Sequence, residues 1–186
     1  MAIPGTGRVT VTSPHRHGSY RTERGPGHGV RRYARAVTDL QQLIDNADRD
    51  GIQKLVVGAI VHHDGLVLVL RRSSEDTFMP GIEELPSGGV DDGEDLLTAL
   101  GRELAEEIAW DGPLTVDPSF VTSFDYASGS GRKTRQLTFG VAYNGRGVRL
   151  STEHATFRWI DTGALTDTDL TDETAQAIRD WAASRH

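Results

Sequence analysis

Between Gly88 and Trp110 the chain reads GGVDDGEDLLTALGRELAEEIAW, a glycine-rich bend that runs straight into a helix with two incompatible faces. At about 3.6 residues per turn, Leu97, Leu100, Leu104 and Ile108 form an apolar stripe that must be laid on a core. Glu103, Glu106 and Glu107, at i, i+3 and i+4, project together beside that stripe. Carboxylates at this spacing repel, and Arg102 can offset only part of their charge. A hard divalent cation with a preference for oxygen ligands, Mg2+ first, is the natural complement. The anchored stripe would hold the acids in fixed positions. Gly88, Gly89 and Gly93 let the backbone bend sharply and approach a ligand closely, and the helix N-terminus behind them favours an anion. The segment therefore reads as a metal site built to act on phosphate esters.

In this register the segment resembles a Nudix box, G-x5-E-x7-R-E-U-x-E-E-x-G-U with U apolar. Gly88 fits the first position, Glu94 the next fixed acid, Arg102 and Glu103 the Arg-Glu pair, Leu104 the apolar site, and Glu106 with Glu107 the paired acids. Leu85 to Val90, LPSGGV, is similar to the family's strand-to-loop entry, and the order of elements from about residue 54 to 183 agrees with it. Two positions depart. Ala109 stands where the family has a late glycine, and Glu83, before Glu84, stands where many members carry an aromatic residue. The helix end is expected to adjust to Ala109 without loss of the acidic face.

The resemblance implies a fold, an activity and roles. The fold is an α/β/α sandwich with a mixed sheet between helices. The activity is Mg2+-dependent hydrolysis of phosphoanhydride bonds in nucleoside diphosphate-linked compounds, with Mn2+ as the alternative ion and (deoxy)nucleoside triphosphates as the first substrate class. Glu103, Glu106, Glu107, the Gly88 carbonyl and Glu153, in the STEHATFRW loop, are the implied metal ligands. Glu103 is the implied general base, and Glu94 with Arg102 would orient loop and helix by an ion pair. His154 is expected at the surface or behind the ligands, since a histidine suits Mn2+ or Zn2+ better than Mg2+. Where ADP-ribose hydrolases of the family tend to carry a proline this chain has Asp125. Where dinucleoside polyphosphate hydrolases tend to carry a tyrosine it has Tyr126. A dinucleoside polyphosphate or nucleotide-sugar pyrophosphatase, or a non-catalytic nucleotide sensor, are the alternatives.

Outside the box, Arg71, Arg72, Arg132, Lys133 and Arg135 lie at strand ends or on a hairpin. Of these, Arg71 and Arg135 are the candidates for gripping phosphate. Phe124, Tyr126 and Phe78 are candidates for stacking on a base. Hydropathy predicts a helix over 38–49 ending at Gly51, then strands Lys54–Val61 and Leu66–Arg71 joined by a turn. A second hairpin is expected from Ser119–Tyr126 and Thr134–Tyr143, a last strand at Phe157–Ile160 and a closing helix near 172–184.

The 186 residues suffice for one core. Residues 1–36 carry seven arginines against Glu23, a balance of +6. The remaining 13 basic and 26 acidic residues give −13, and together these make the net −7. The first stretch, with His15, His17, His28 and a GPGHG run, lacks periodicity and reads as a basic, flexible extension to a single hydrolase domain over 37–186. GPGHG is not a dinucleotide fingerprint, because no apolar strand precedes it. The absence of cysteine excludes disulfides and thiolate metal sites, and argues against the isomerases of this scaffold that use a catalytic cysteine. No apolar run is long enough for a membrane span and no secretory leader is visible, so the expectation is a cytoplasmic protein with a small nucleotide as its partner. Neither membrane nor nucleic acid is the expected partner, and a homodimer stays open.

Overall fold

The structure, a computed structural model, describes residues 31–32, 40–76 and 79–185. The expected extension over 1–36 lies outside them apart from the Arg31–Arg32 backbone, as does Phe78. In chain order the elements are β1 (Arg31–Arg32), α1 (Leu40–Arg49), β2 (Lys54–His63), β3 (Leu66–Arg72), β4 (Glu83–Glu84), β5 (Ser87–Gly89), α2 (Leu96–Ile108), β6 (Val116–Ala127), β7 (Lys133–Ala142), β8 (His154–Asp161), a 3-10 turn (Thr162–Asp167) and α3 (Asp172–Ser184). The sheet runs β1-β6-β7-β2-β3-β4, with β5 added to β2 and β8 to β3. Every pairing is antiparallel except β2 with β7, which makes the sheet mixed.

Strand alternation sorts side chains onto the two faces. Val57, Ala59 and Val61 of β2, Leu68 and Leu70 of β3, and Leu137 and Phe139 of β7 join Leu96, Leu100, Leu104 and Ile108 of α2 in one core. Ile60, Val67 and Val69 point the other way, to Phe120, Ile178 and Trp181 beneath α3. The result is the expected three-layer sandwich. Cutting Leu104 to Ala would remove a fully buried anchor of α2, at a cost of about 2–5 kcal/mol.

The hairpin expected from β2 and β3 is paired only beside its turn, at His62–Val67 and His63–Leu66. Beyond that the two strands part. β5 takes the free edge of β2 through Val56–Gly89, Val57–Gly88 and Gly58–Ser87, while β4 takes β3 through Leu70–Glu84 and Arg71–Glu83. The acidic face of α2 reaches the sheet at this split.

Candidate active site

The loop before α2 is tied down from both ends. Asp95 caps the helix by accepting from the Leu97 and Thr98 N–H groups at 3.1 and 3.0 Å. Arg102 donates to both carboxylate oxygens of Glu94, at 3.0 and 2.8 Å, and to the Gly89 carbonyl at 2.8 Å, so the expected ion pair is present and clamps the bend onto the helix. Its remaining nitrogen donates to Glu103 at 2.8 Å and lies 3.6 Å from Glu106. The hydrogen bond from Arg102 holds the Glu94 carboxyl below its ordinary pKa. A Cβ on Gly88 would overlap the Glu103 carboxylate, so only glycine lets that side chain lie across the strand.

Glu107 enters the split itself. It is 7% exposed, and one of its oxygens accepts from the Ser87 N–H at 2.9 Å. Burial pushes its pKa up to about 9; the Ser87 bond pulls the other way, and the charges of Glu84, Glu103 and Glu153 add to the rise. Burial also raises Glu103, with Arg102 opposing and Glu106 and Glu153 reinforcing. Glu153, exposed in the loop before β8, is thus within electrostatic reach of both. Its carbonyl accepts from Ser73 N–H at 2.8 Å, which fixes the loop against the end of β3. Glu106 is 61% exposed. Among the described residues no three acidic or histidine side chains close on one point as a finished metal cage. The acids form an open-sided wall whose donors are all oxygen, with a buried carboxylate at its base that has no cationic partner among the described residues. Such a set fits a hard cation, since a divalent ion would supply the missing countercharge.

Glu84, absent from the sequence-predicted ligand set, belongs to the same wall. It accepts from Arg72 at 2.8 Å and contacts His154 Nε2 at 3.0 Å. His154 is fully buried, not at the surface, and holds Glu84 from behind. The signal for Glu84 was the strand before LPSGG, which is only two residues long. Glu83 faces the opposite way and is 2% exposed, gripped by Arg158 through two bonds of 2.8 Å, by Arg71 at 3.2 Å and by the Asp169 N–H at 3.1 Å. An ionic cluster thus occupies the place of the family's aromatic residue.

The structure distributes the remaining candidates unevenly. Arg71 donates to the Gly81 carbonyl at 2.6 Å and to Asp169 at 2.8 Å, besides its contact with Glu83. Arg135 is 3% exposed and pairs with Asp125 at 2.6 and 2.8 Å and with Asp50 at 3.0 Å. Both guanidinium groups are therefore engaged by internal carboxylates. Phe124 and Tyr126 are half-buried neighbours on β6, with ring centres 5.9 Å apart. Burial and the charge of Glu84 raise the Tyr126 hydroxyl, which places it on the side of the acidic wall.

Ala109 ends α2 in the left-handed region, at φ 53° and ψ 42°, with the Trp110 N–H returning to the Leu104 carbonyl at 3.1 Å. This conformation is the reason a glycine suits the position, and the alanine adopts it with the acidic face still in place.

A mixed sheet between helices, with an acid-bearing helix behind a glycine bend, is the architecture of a phosphoanhydride hydrolase of the sandwich class. The chain belongs to the NUDIX family as a pyrophosphohydrolase, the family's NUDIX domain model matching residues 53–181. It is 28% identical over 134 residues to the nucleoside triphosphatase NudI of Escherichia coli O17:K52:H18, covering 68% of this chain and 95% of that protein. Among solved structures it is similar to the MutT protein of Methanosarcina mazei Go1, at a TM-score of 0.59 and 22% identity over 71% of this chain and 94% of that one. The C. elegans Ap4A hydrolase, solved as a binary complex, superposes with a TM-score of 0.60 and 24% identity over 70% of this chain and 96% of that one. Among the described residues no helix is long and apolar enough to cross a membrane.

Proposed function

We propose that the protein is a Mg2+-dependent hydrolase of (deoxy)nucleoside triphosphates that releases a mononucleotide and pyrophosphate. The observation that carries this reading is Glu107, a buried carboxylate with no cationic partner among the described residues, within electrostatic reach of Glu103, Glu84 and Glu153. The nucleoside triphosphatase NudI, matched over nearly its whole length, supports the substrate class. Glu106, Glu107, Glu103, Glu153 and the Gly88 carbonyl are the ligands we assign to Mg2+, with Mn2+ as the alternative. When bound, the metal supplies neutralisation of phosphate charge and acidification of water.

The chain's own residues do the rest. Glu103, its pKa raised by burial, is the residue we assign as the base that takes a proton from the attacking water. Arg102 and Glu94 fix the loop that carries Gly88, so that Glu103 and the carbonyl keep their spacing. Phe124 and Tyr126 offer a face for the base, while Arg135 acts through Asp125 to hold β6 against β7, and Arg71 braces the β3 end through Glu83 and Asp169. We assign the enzyme to the cytoplasm as a single hydrolase domain over 37–186 behind a basic extension.

The test is phosphate and pyrophosphate release from a panel of nucleoside triphosphates, nucleotide sugars and dinucleoside polyphosphates with and without Mg2+. Triphosphates should be turned over fastest, and only with the metal. Tight nucleotide binding without turnover of any member would make the protein a sensor instead.

A further inference from the structure

The face of the sheet opposite α2 is apolar under α3 and turns polar beyond it. On this face Thr122, Phe124 and Tyr126 of β6 stand opposite Thr138, Gln136 and Thr134 of β7, and the parallel neighbour β2 contributes Val56 and Gly58. A core strip of this kind ordinarily carries aliphatic residues. Here Thr138 is sealed from solvent, Thr122 is 1% exposed and Gln136 is 9% exposed. The hydrogen-bonding capacity of this strip is only partly met. Among the described residues the Thr122 hydroxyl has no partner, and the Gln136 amide reaches only the Thr138 hydroxyl, at a long 3.4 Å. Leaving such groups unpaired costs roughly as much as a lost hydrogen bond, so they need a reason.

The surroundings specify what would satisfy them. Gln136 lies across Gly58, where a Cβ would come within 2.7 Å of its Nε2, so glycine on β2 clears the space for the amide. Directly opposite Gln136 is Phe124, and Tyr126 is tilted 37° against Phe124. An aromatic face beside an amide that offers one donor and one acceptor is the complement of a flat heterocycle with polar edges. The strip also adjoins the acidic wall. Gly58 pairs with Ser87, whose N–H holds Glu107.

We infer that Gln136 is the base-reading residue of this hydrolase: a nucleobase stacks on Phe124 and Tyr126 and presents its edge to the Gln136 amide, with the Thr122 hydroxyl completing the set, while the phosphates extend past Gly58 to the acidic wall. The inference rests on the proposed triphosphate activity and adds the residue that sets its base preference. A bidentate amide contact discriminates between bases by roughly tenfold to a hundredfold.

The experiment measures kcat and KM for the four ribonucleoside triphosphates with Mg2+, using the wild type, Gln136→Leu, Gln136→Glu and Gly58→Ala. The wild type should rank the bases, and Gln136→Leu should flatten that ranking through KM by roughly tenfold to a hundredfold for the preferred base. Gly58→Ala, whose added Cβ displaces the amide, should flatten it in the same direction. Gln136→Glu keeps the volume but replaces the donor, so it should reorder the ranking toward bases with an exocyclic amino group, and it serves if the leucine variant does not fold. Hydrolysis of triphosphates with an unaltered ranking in folded variants would overturn the base-reading role and leave the activity standing. A wild type that ignores base identity would do the same. If the wild type hydrolyses no triphosphate, the proposed activity falls and this role with it.

Discussion

Replacing Glu107 by glutamine separates the electrostatics of the acidic wall from its packing, because the volume is kept and the ionisable group is lost. In the folded protein without metal the carboxyl retains its proton up to about 9, whereas in the unfolded chain it releases it near its ordinary 4.5. Between those values the folded state binds more protons than the unfolded one. The contribution of this group to stability is therefore fully present below about pH 4.5 and is lost progressively as pH rises toward 9. Each pH unit in that window costs about 1.4 kcal/mol, so the loss at about pH 7.5 is at most about 4 kcal/mol. Glu107→Gln removes that loss and keeps an oxygen for the Ser87 N–H. Thermal unfolding in chelator at about pH 7.5 should show the variant more stable than the wild type, at about 2–4 °C per kcal/mol gained. Added Mg2+ should stabilise the wild type by about 2.7 kcal/mol at a hundredfold excess over its Kd and the variant far less. Turnover should fall on the order of a thousandfold. A variant less stable than the wild type in chelator, or one that gains as much from Mg2+, would refute the reasoning.

Glu94→Gln loosens the clamp on the glycine bend at a half-buried pair, so kcat should drop roughly tenfold to a hundredfold with only a small fall in Tm, and a large fall in Tm would show that the pair serves stability instead. Ala109→Gly relieves a left-handed alanine and should raise stability by about 0.5–1 kcal/mol in urea unfolding without altering kcat; no gain would mean that the helix end carries no strain. Burial alone would raise the Glu83 pKa, yet the Arg158 bonds, the Asp169 N–H and the Arg71 charge outweigh it and hold the carboxyl below its ordinary value. Its stabilisation is therefore present above about pH 4.5 and is lost as pH falls through the lower folded value. Glu83→Gln should cost about 2–3 kcal/mol at neutral pH and flatten the acid limb of a stability–pH curve, and an unchanged limb would remove Glu83 from acid unfolding.

Much of this was legible in the sequence, because the relevant forces act over one or two turns. The apolar stripe of Leu100, Leu104 and Ile108, the Glu94–Arg102 clamp and the need for glycine at 88 follow from local spacing, and the strands follow from alternation. What escaped the reading is set by residues far apart in the chain. Alternation says which face a side chain takes, not which strand lies beside it, so the parallel pairing of β2 with β7 and the parting of β2 from β3 had no signal. The carboxylates Asp169 and Asp50, which engage Arg71 and Arg135, are distant from them in sequence. Glu84 and His154 meet only through folding, 70 residues apart. Strands of two and three residues, such as Glu83–Glu84 and Ser87–Gly89, are too short for any period to register.

In the proposed reaction the acidic wall beside the glycine bend serves metal-dependent cleavage between the first two phosphates of a nucleoside triphosphate. Phosphorus NMR of the products formed from a triphosphate in Mg2+, and again in chelator, tests it most directly. A mononucleotide and pyrophosphate should form in equal amounts with the metal, and neither should form without it. Release of orthophosphate and a nucleoside diphosphate, or turnover that persists in chelator, would contradict it.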